Sequence, residues 1–123
     1  MSSPFRPMLE NLARQRGVTA ALVVSERDGI VVDSHLHLGV AADRVAALAA
    51  QLYRKARLSA RAAGMGAVSF MQMEAPAGRL CAVGQGDLVL VVIAASVVNL
   101  GLIRVEMLRA VAELSRLAPE RDP

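Results

Sequence analysis

Apolar residues run without a break from position 88 to 94 (LVLVVIA), and beyond them the period of the pattern changes. An uninterrupted run of Leu, Val, Ile and Ala predicts a strand covered on both faces, hence one in the middle of a sheet. Farther on, Leu100, Ile103, Met107, Val111, Leu114 and Leu117 recur three and four apart, which draws one apolar stripe down a helix. Asn99 stands where an N-cap is wanted, because its side-chain oxygen can accept from an amide of the first turn. Leu102 and Val105 are apolar but lie off the stripe.

The same reading from the start of the chain predicts a polar lead-in over 1–7, then a short helix over 8–15 closed by Gly17. Residues 18–25 (VTAALVVS) form a strand, Glu26-Arg27-Asp28-Gly29 a turn, and 30–34 the returning strand, with 35–39 as a loop or frayed end. A second helix spans 41–63 and stops at Gly64. Val45, Leu48, Ala49, Leu52, Tyr53, Ala56, Ala60 and Ala63 fill one arc of it, and Arg44, Gln51, Arg54, Lys55, Arg57 and Arg61 the other. Leu58 falls inside the polar arc. The alanines on the apolar arc let another backbone approach closely. Strands follow at 67–74 and 79–83 around the turn Pro76-Ala77-Gly78, and residues 84–87 turn the chain into the apolar run at 88. The order α-β-β-α-β-β-β-α with short hairpins predicts an α+β sandwich, an antiparallel sheet with helices on both faces. The domain is expected over 8–118, with 119–123 as a tail.

At 123 residues and 13.0 kDa the chain is one domain. Its single cysteine, Cys81, excludes an internal disulfide and fits a reducing compartment. No apolar run follows Met1, and the best membrane-spanning candidate, 88–103, falls short of the ~20 residues required and contains Ser96, Asn99 and Gly101. A soluble cytoplasmic protein is expected. Mean hydropathy of +0.43 with 54% apolar residues is high for a small monomer, so part of the apolar surface is expected to meet a second copy or a partner. Formal charge is only +3, and Lys55 is the one lysine among 14 basic residues. Abundant arginine and alanine point to a GC-rich bacterial genome.

Candidate chemistry is sparse. His35 and His37 would share one side of a strand, but a structural metal site takes four ligands and Cys81 belongs to a different hairpin. The Gly64-x-Gly66 and Gly84-x-Gly86 pairs precede strands rather than helices, unlike a dinucleotide fingerprint. Ser25, Ser34, Ser69 and Ser96 lack a nucleophile-elbow context, and Cys81 sits mid-strand as a buried thiol would. Glu106 and Glu113 have Arg109 and Arg116 three residues on, which is ordinary helix-surface pairing. With only Phe5, Tyr53 and Phe70 as aromatics, a nucleic-acid platform is not expected. The arginine-rich arc reads as a solvated face or a protein-partner surface.

The opening helix, GVTAALVVSERDGIVVDS (17–34), VAALAAQL (45–52) and the helix start NLGLIR (99–104), taken in that order, resemble the roadblock/dynein light chain family and its MglB-like bacterial single-domain members. The resemblance covers roughly residues 8–117 by order of elements. It implies a five-stranded antiparallel sheet with the middle helix on one face and the terminal helices on the other. It also implies a homodimer made by pairing the third strand and packing the middle helices, with Val45, Leu48, Ala49, Leu52, Ala56, Val68 and Phe70 at the interface. Such proteins are non-enzymatic and cofactor-free. Several regulate small Ras-like GTPases, and others are adaptors. Carried onto this chain, the partner surface is Arg44, Gln51, Arg54, Lys55, Leu58 and Arg61. The implied function is a homodimeric partner of a Ras-like GTPase that modulates its nucleotide cycle, with hydrolysis or exchange left open. The alternatives are a structural adaptor without effect on turnover and, further back, a metal or small-molecule sensor using His35, His37 and Cys81.

Overall fold

The unbroken apolar run forms β5 (Leu88–Ala94) and takes the middle of a five-stranded sheet. The computed structural model describes residues 3–37, 39, 41–96 and 98–117, so the expected tail lies outside the described residues. Around β5 the chain runs α1 (Arg6–Ala13), β1 (Val18–Ser25), β2 (Val31–Leu36), α2 (Ala42–Ala62), β3 (Met71–Ala75), β4 (Gly78–Gln85) and finally α3 (Leu100–Leu117). Sheet order is β2-β1-β5-β4-β3, and every neighbouring pair is antiparallel.

Alternate residues of β5 supply two cores. Leu90, Val92 and Ala94 face α1 and α3, where Leu9, Leu12, Ile103, Met107 and Leu114 pack on them. Val89 and Val91 face α2 and meet Ala46, Ala49, Ala50 and Tyr53. The first core is built from large side chains and the second from alanines, so α2 rides close to its sheet. At its centre the Tyr53 hydroxyl accepts the Gly84 amide at 2.9 Å. A Cβ on Gly84 would stand 2.7 Å from the Tyr53 ring, so only glycine fits beneath it. Asn99 caps α3 as expected, its Oδ1 accepting the Leu102 amide at 3.0 Å.

Boundaries differ from the sequence expectation in physically readable ways. α1 begins at Arg6, inside the expected lead-in, because Pro7 occupies a first-turn position whose amide needs no helical partner. Phe5 just before it is buried in the core. Gly17 does not close this helix; Arg14 does. Gly17 instead turns the chain into β1 at φ +88, where a side chain would collide with Val98. β2 runs on to Leu36 and so includes His35. β3 starts at Met71, where pairing with Ala82 begins, leaving Val68 and Phe70 ahead of the strand.

Two measurements check this packing. Tyr53→Phe strands the Gly84 amide and is expected to lower stability by about 1–3 kcal/mol in urea unfolding. Burial pushes the pKa of the Cys81 thiol up, and Glu74 adds to the rise. Thiol reagents should therefore label Cys81 only after unfolding. The stabilising contribution of the neutral thiol is full below the unfolded thiol's pKa and is lost as pH rises through the folded value.

Candidate interaction surface

The chemical candidates do not converge. His35 and His37 stack edge-on with ring centroids 6.0 Å apart, and His37 Nε2 lies 3.4 Å from the Ala13 carbonyl. Cys81 is buried on β4, separated from their strand by β1 and β5. Among the described residues no three His, Cys, Asp or Glu side chains are grouped to hold a metal ion. The sensor reading loses its ligand set.

What converges is surface on α2. Because the alanines bring one face of the helix down onto the sheet, the larger Leu48 and Leu52 are turned aside and remain 53% and 40% exposed. With Val45, Gln51 and Lys55 they line a groove of about 270 Å³ whose other wall is Met73, Leu80 and Ile93 from β3, β4 and β5. Val45, Leu48 and Leu52 thus gather where the interface is expected. Ala49 does not, being wholly buried in its own chain, and Ala56 is half-buried. Val68 and Phe70 part company: Val68 packs toward the α2 core, while Phe70 packs on the opposite core beneath the Arg104 guanidinium, 5.0 Å from its ring. Met73, Leu80 and Ile93 were missed, although the Met71-Gln72-Met73 alternation marks which side of β3 is apolar.

The expected partner residues Arg44, Gln51, Arg54, Lys55, Leu58 and Arg61 are all exposed. Among the described residues none of their cations has an ion-pair partner. Arg57, on the same helix, behaves differently. Its Nε and Nη2 grip the Glu26 carboxylate at 3.1 and 2.6 Å, and that pairing pushes its already high pKa further up. Glu26 is held in turn, because its amide donates to the Asp87 carbonyl while Asp87 accepts the Ser25 hydroxyl and the Arg27 amide.

The two sheet edges also differ. His37 donates its amide to Thr19, and in this register Ser34 opposite Leu22 points its amide and carbonyl away from β1. Both groups are covered from within the chain. Asp33 Oδ1 accepts the Ser34 amide at 2.8 Å, and Arg6 donates to the Ser34 carbonyl at 3.3 Å while pairing with Asp33 at 2.9 Å. β3 carries the opposite edge with Gln72, Met73, Glu74 and Ala75 exposed, and in this register Gln72 and Glu74 point their amides and carbonyls away from β4.

The sandwich thus carries an apolar groove beside an open sheet edge, flanked by cations that have no ion-pair partner among the described residues. The chain belongs to the Roadblock/LC7 domain family, whose sequence pattern matches residues 6–94. It is 35% identical over 112 residues to the uncharacterized protein MJ1340 of Methanocaldococcus jannaschii, covering 91% of this chain and 96% of that one. Its fold is similar to a Roadblock/LC7 domain from Streptomyces avermitilis, with a TM-score of 0.82, 25% identity, and coverage of 94% of this chain and 97% of that one. The gliding protein MglB from Thermus thermophilus also superposes at a TM-score of 0.82, with 22% identity over 98% of this chain and 95% of that one. No helix among the described residues is long and apolar enough to cross a membrane.

Arg6 supplies the check on the cover over Ser34. Arg6→Ala leaves Asp33, whose Oδ2 is buried without a hydrogen-bond partner among the described residues, with no countercharge. Stability should fall by about 1–3 kcal/mol in urea unfolding. With the Ser34 carbonyl left open, the apparent mass in light scattering at high concentration should also rise.

Proposed function

We propose that this chain is a non-enzymatic, cytoplasmic homodimer that binds a small Ras-like GTPase and modulates its nucleotide cycle. The observation that carries this reading is the Leu48, Leu52 and Met73 groove lying beside the open edge of β3. Two copies paired through β3 about a two-fold axis continue the sheet and bring their α2 helices together over the grooves. The excess apolar composition is then accounted for. Arg44, Arg54, Leu58 and Arg61 lie outside the groove and stay outward in both copies, on the face that family resemblance nominates for the GTPase, while Gln51 and Lys55 of that nominated set line the groove itself. The chain acts by positioning the GTPase's own groups. One observation favours a second reading, an adaptor without effect on turnover. Arg44, Arg54 and Arg61 have no carboxylate among the described residues to hold them, whereas a group that stabilises a transition state is held in place beforehand.

Light scattering should give about twice 13.0 kDa. Leu52→Arg, which sets a charge into the groove, should shift the mass toward one copy. A wild type that stays monomeric at micromolar concentration rules out the dimer. Nucleotide hydrolysis and exchange by the Ras-like GTPase of the same genome, with and without this chain, decide the rest. A rate change in either supports modulation, and binding with unchanged rates selects the adaptor. Absence of both binding and rate change at high micromolar concentration would sink the GTPase reading.

A further inference from the structure

On β3 the outward amides and carbonyls belong to Gln72 and Glu74, because Met71, Met73 and Ala75 turn theirs toward β4. Ala75 faces Gly78 across a tight turn, which fixes that alternation. A second β3 related by a two-fold axis can bond only where an outward residue meets an outward residue. The axis can then pass through Gln72, Met73 or Glu74. Through Met73, Gln72 of each copy lies opposite the partner's Glu74, and every outward group of both strands is bonded. Through Glu74, two carboxylates stand face to face and Gln72 meets the partner's Pro76, a residue type with no N–H to give. Through Gln72, Glu74 meets the partner's Phe70, a position that lies ahead of the strand and packs on the core beneath Arg104.

We infer that the two-fold axis passes through Met73, and that Gln72 and Glu74 set the register and select the partner copy. This rests on the homodimer reading and adds to it the residues that decide the pairing. The side chains are already placed for it. Gln72 lies opposite Cys81, so it and Glu74 share the α1–α3 side of the sheet. Arg79 Nε holds Glu74 Oε1 at 3.2 Å and leaves Oε2 toward Gln72, whose Nε2 stands 3.5 Å away. A bond of that length is marginal, so the Gln72 amide is free to donate to the partner's Glu74 instead. On the other side of the sheet Met73, 44% exposed, meets its own copy beside the groove, where an unbranched thioether adapts to an identical neighbour. Donor and acceptor are reciprocal about the axis, since each copy supplies what the other lacks. That argues for a second copy of this chain over an unrelated extended segment, which would need the same alternation of amide, apolar residue and acid. A related chain with an acid in place of Gln72 would face Glu74 with like charge and be rejected.

The dimer dissociation constant, measured by analytical ultracentrifugation of the whole chain at low ionic strength, separates the registers. Gln72→Lys should tighten the dimer about three- to tenfold, because an ammonium then stands opposite each Glu74, and Gln72→Glu should loosen it by a similar factor. With the axis through Gln72, both variants set like charges against each other and both loosen the dimer. With the axis through Glu74, neither has an effect. Either pattern overturns the inference. Met73→Cys should form an interchain disulfide under mild oxidation, since facing residues of a non-hydrogen-bonded pair have Cα atoms about 4.5 Å apart, within disulfide reach. Cys81 is buried and does not compete. Met71→Cys and Ala75→Cys, off the axis, should stay unlinked. Circular dichroism verifies the fold of each variant, and because Gln72 is exposed its two variants decide the register even if Met73→Cys folds poorly. A dimer in which Met73→Cys stays unlinked and Gln72→Lys loosens the pairing shows the register to be wrong and leaves the homodimer reading standing. A wild type that remains monomeric at high micromolar concentration removes both.

Discussion

The close seat of α2 on the sheet governs this molecule. Ala46, Ala49 and Ala50 contribute little side-chain volume, so the helix can descend until Tyr53 touches the backbone at Gly84. Once it is that low, no space remains beneath it for Leu48 or Leu52, which are displaced toward β3 and left half in water. On the other face Leu9, Ile103, Met107 and Leu114 are wholly or almost wholly buried and carry the hydrophobic stabilisation. One face of the sheet thus holds the fold, and the thinner face leaves apolar area over for something else.

The edges follow the same division. A five-stranded sheet has two rows of unpaired backbone groups, and each invites another chain. On β2 the exposed groups of Ser34 are taken by Asp33 and Arg6, so the first turn of α1 blocks the edge as well as packing under it. On β3 the outward amides and carbonyls of Gln72 and Glu74 have no such cover among the described residues. Cover on one side and its near absence on the other, with the Leu48 and Leu52 groove adjoining the open side, give the molecule a direction.

Much of this could be read in the sequence because the signals are local. The run at 88–94 fixed the central strand, Asn99 fixed the start of α3, and short hairpin turns fixed the antiparallel order. The rotation of α2 could not be read. A helical period gives the width of an apolar arc, and Ala49 and Leu48 sit side by side in it; which one points down depends on how closely the helix approaches the sheet. The start of β3 was hidden for a related reason. Val68 and Phe70 look like strand residues, but they are held by cores on opposite faces before pairing with β4 begins at Met71. Phe5 and Pro7 show that a proline-marked segment can still be part of a packed helix start.

One helix carries the same residue type in two roles, and position alone separates them. Arg57 points down the flank of α2 toward the β1–β2 turn, where Glu26 is presented by a backbone tied to Asp87. That turn passes close enough to α2 that a Cβ on Gly29 would stand 3.5 Å from the Ala47 backbone. The pair therefore clamps the C-terminal half of α2 to a rigid corner, adding a second fixture to the Tyr53–Gly84 contact farther up the helix. Arg54 and Arg61 lie one turn to either side of Arg57 and find no carboxylate among the described residues. Their stems start from a backbone that is fixed at two points, while their charged ends stay free. Most of the ordering entropy on binding is then confined to side-chain rotamers, because the helix that presents them is already in place.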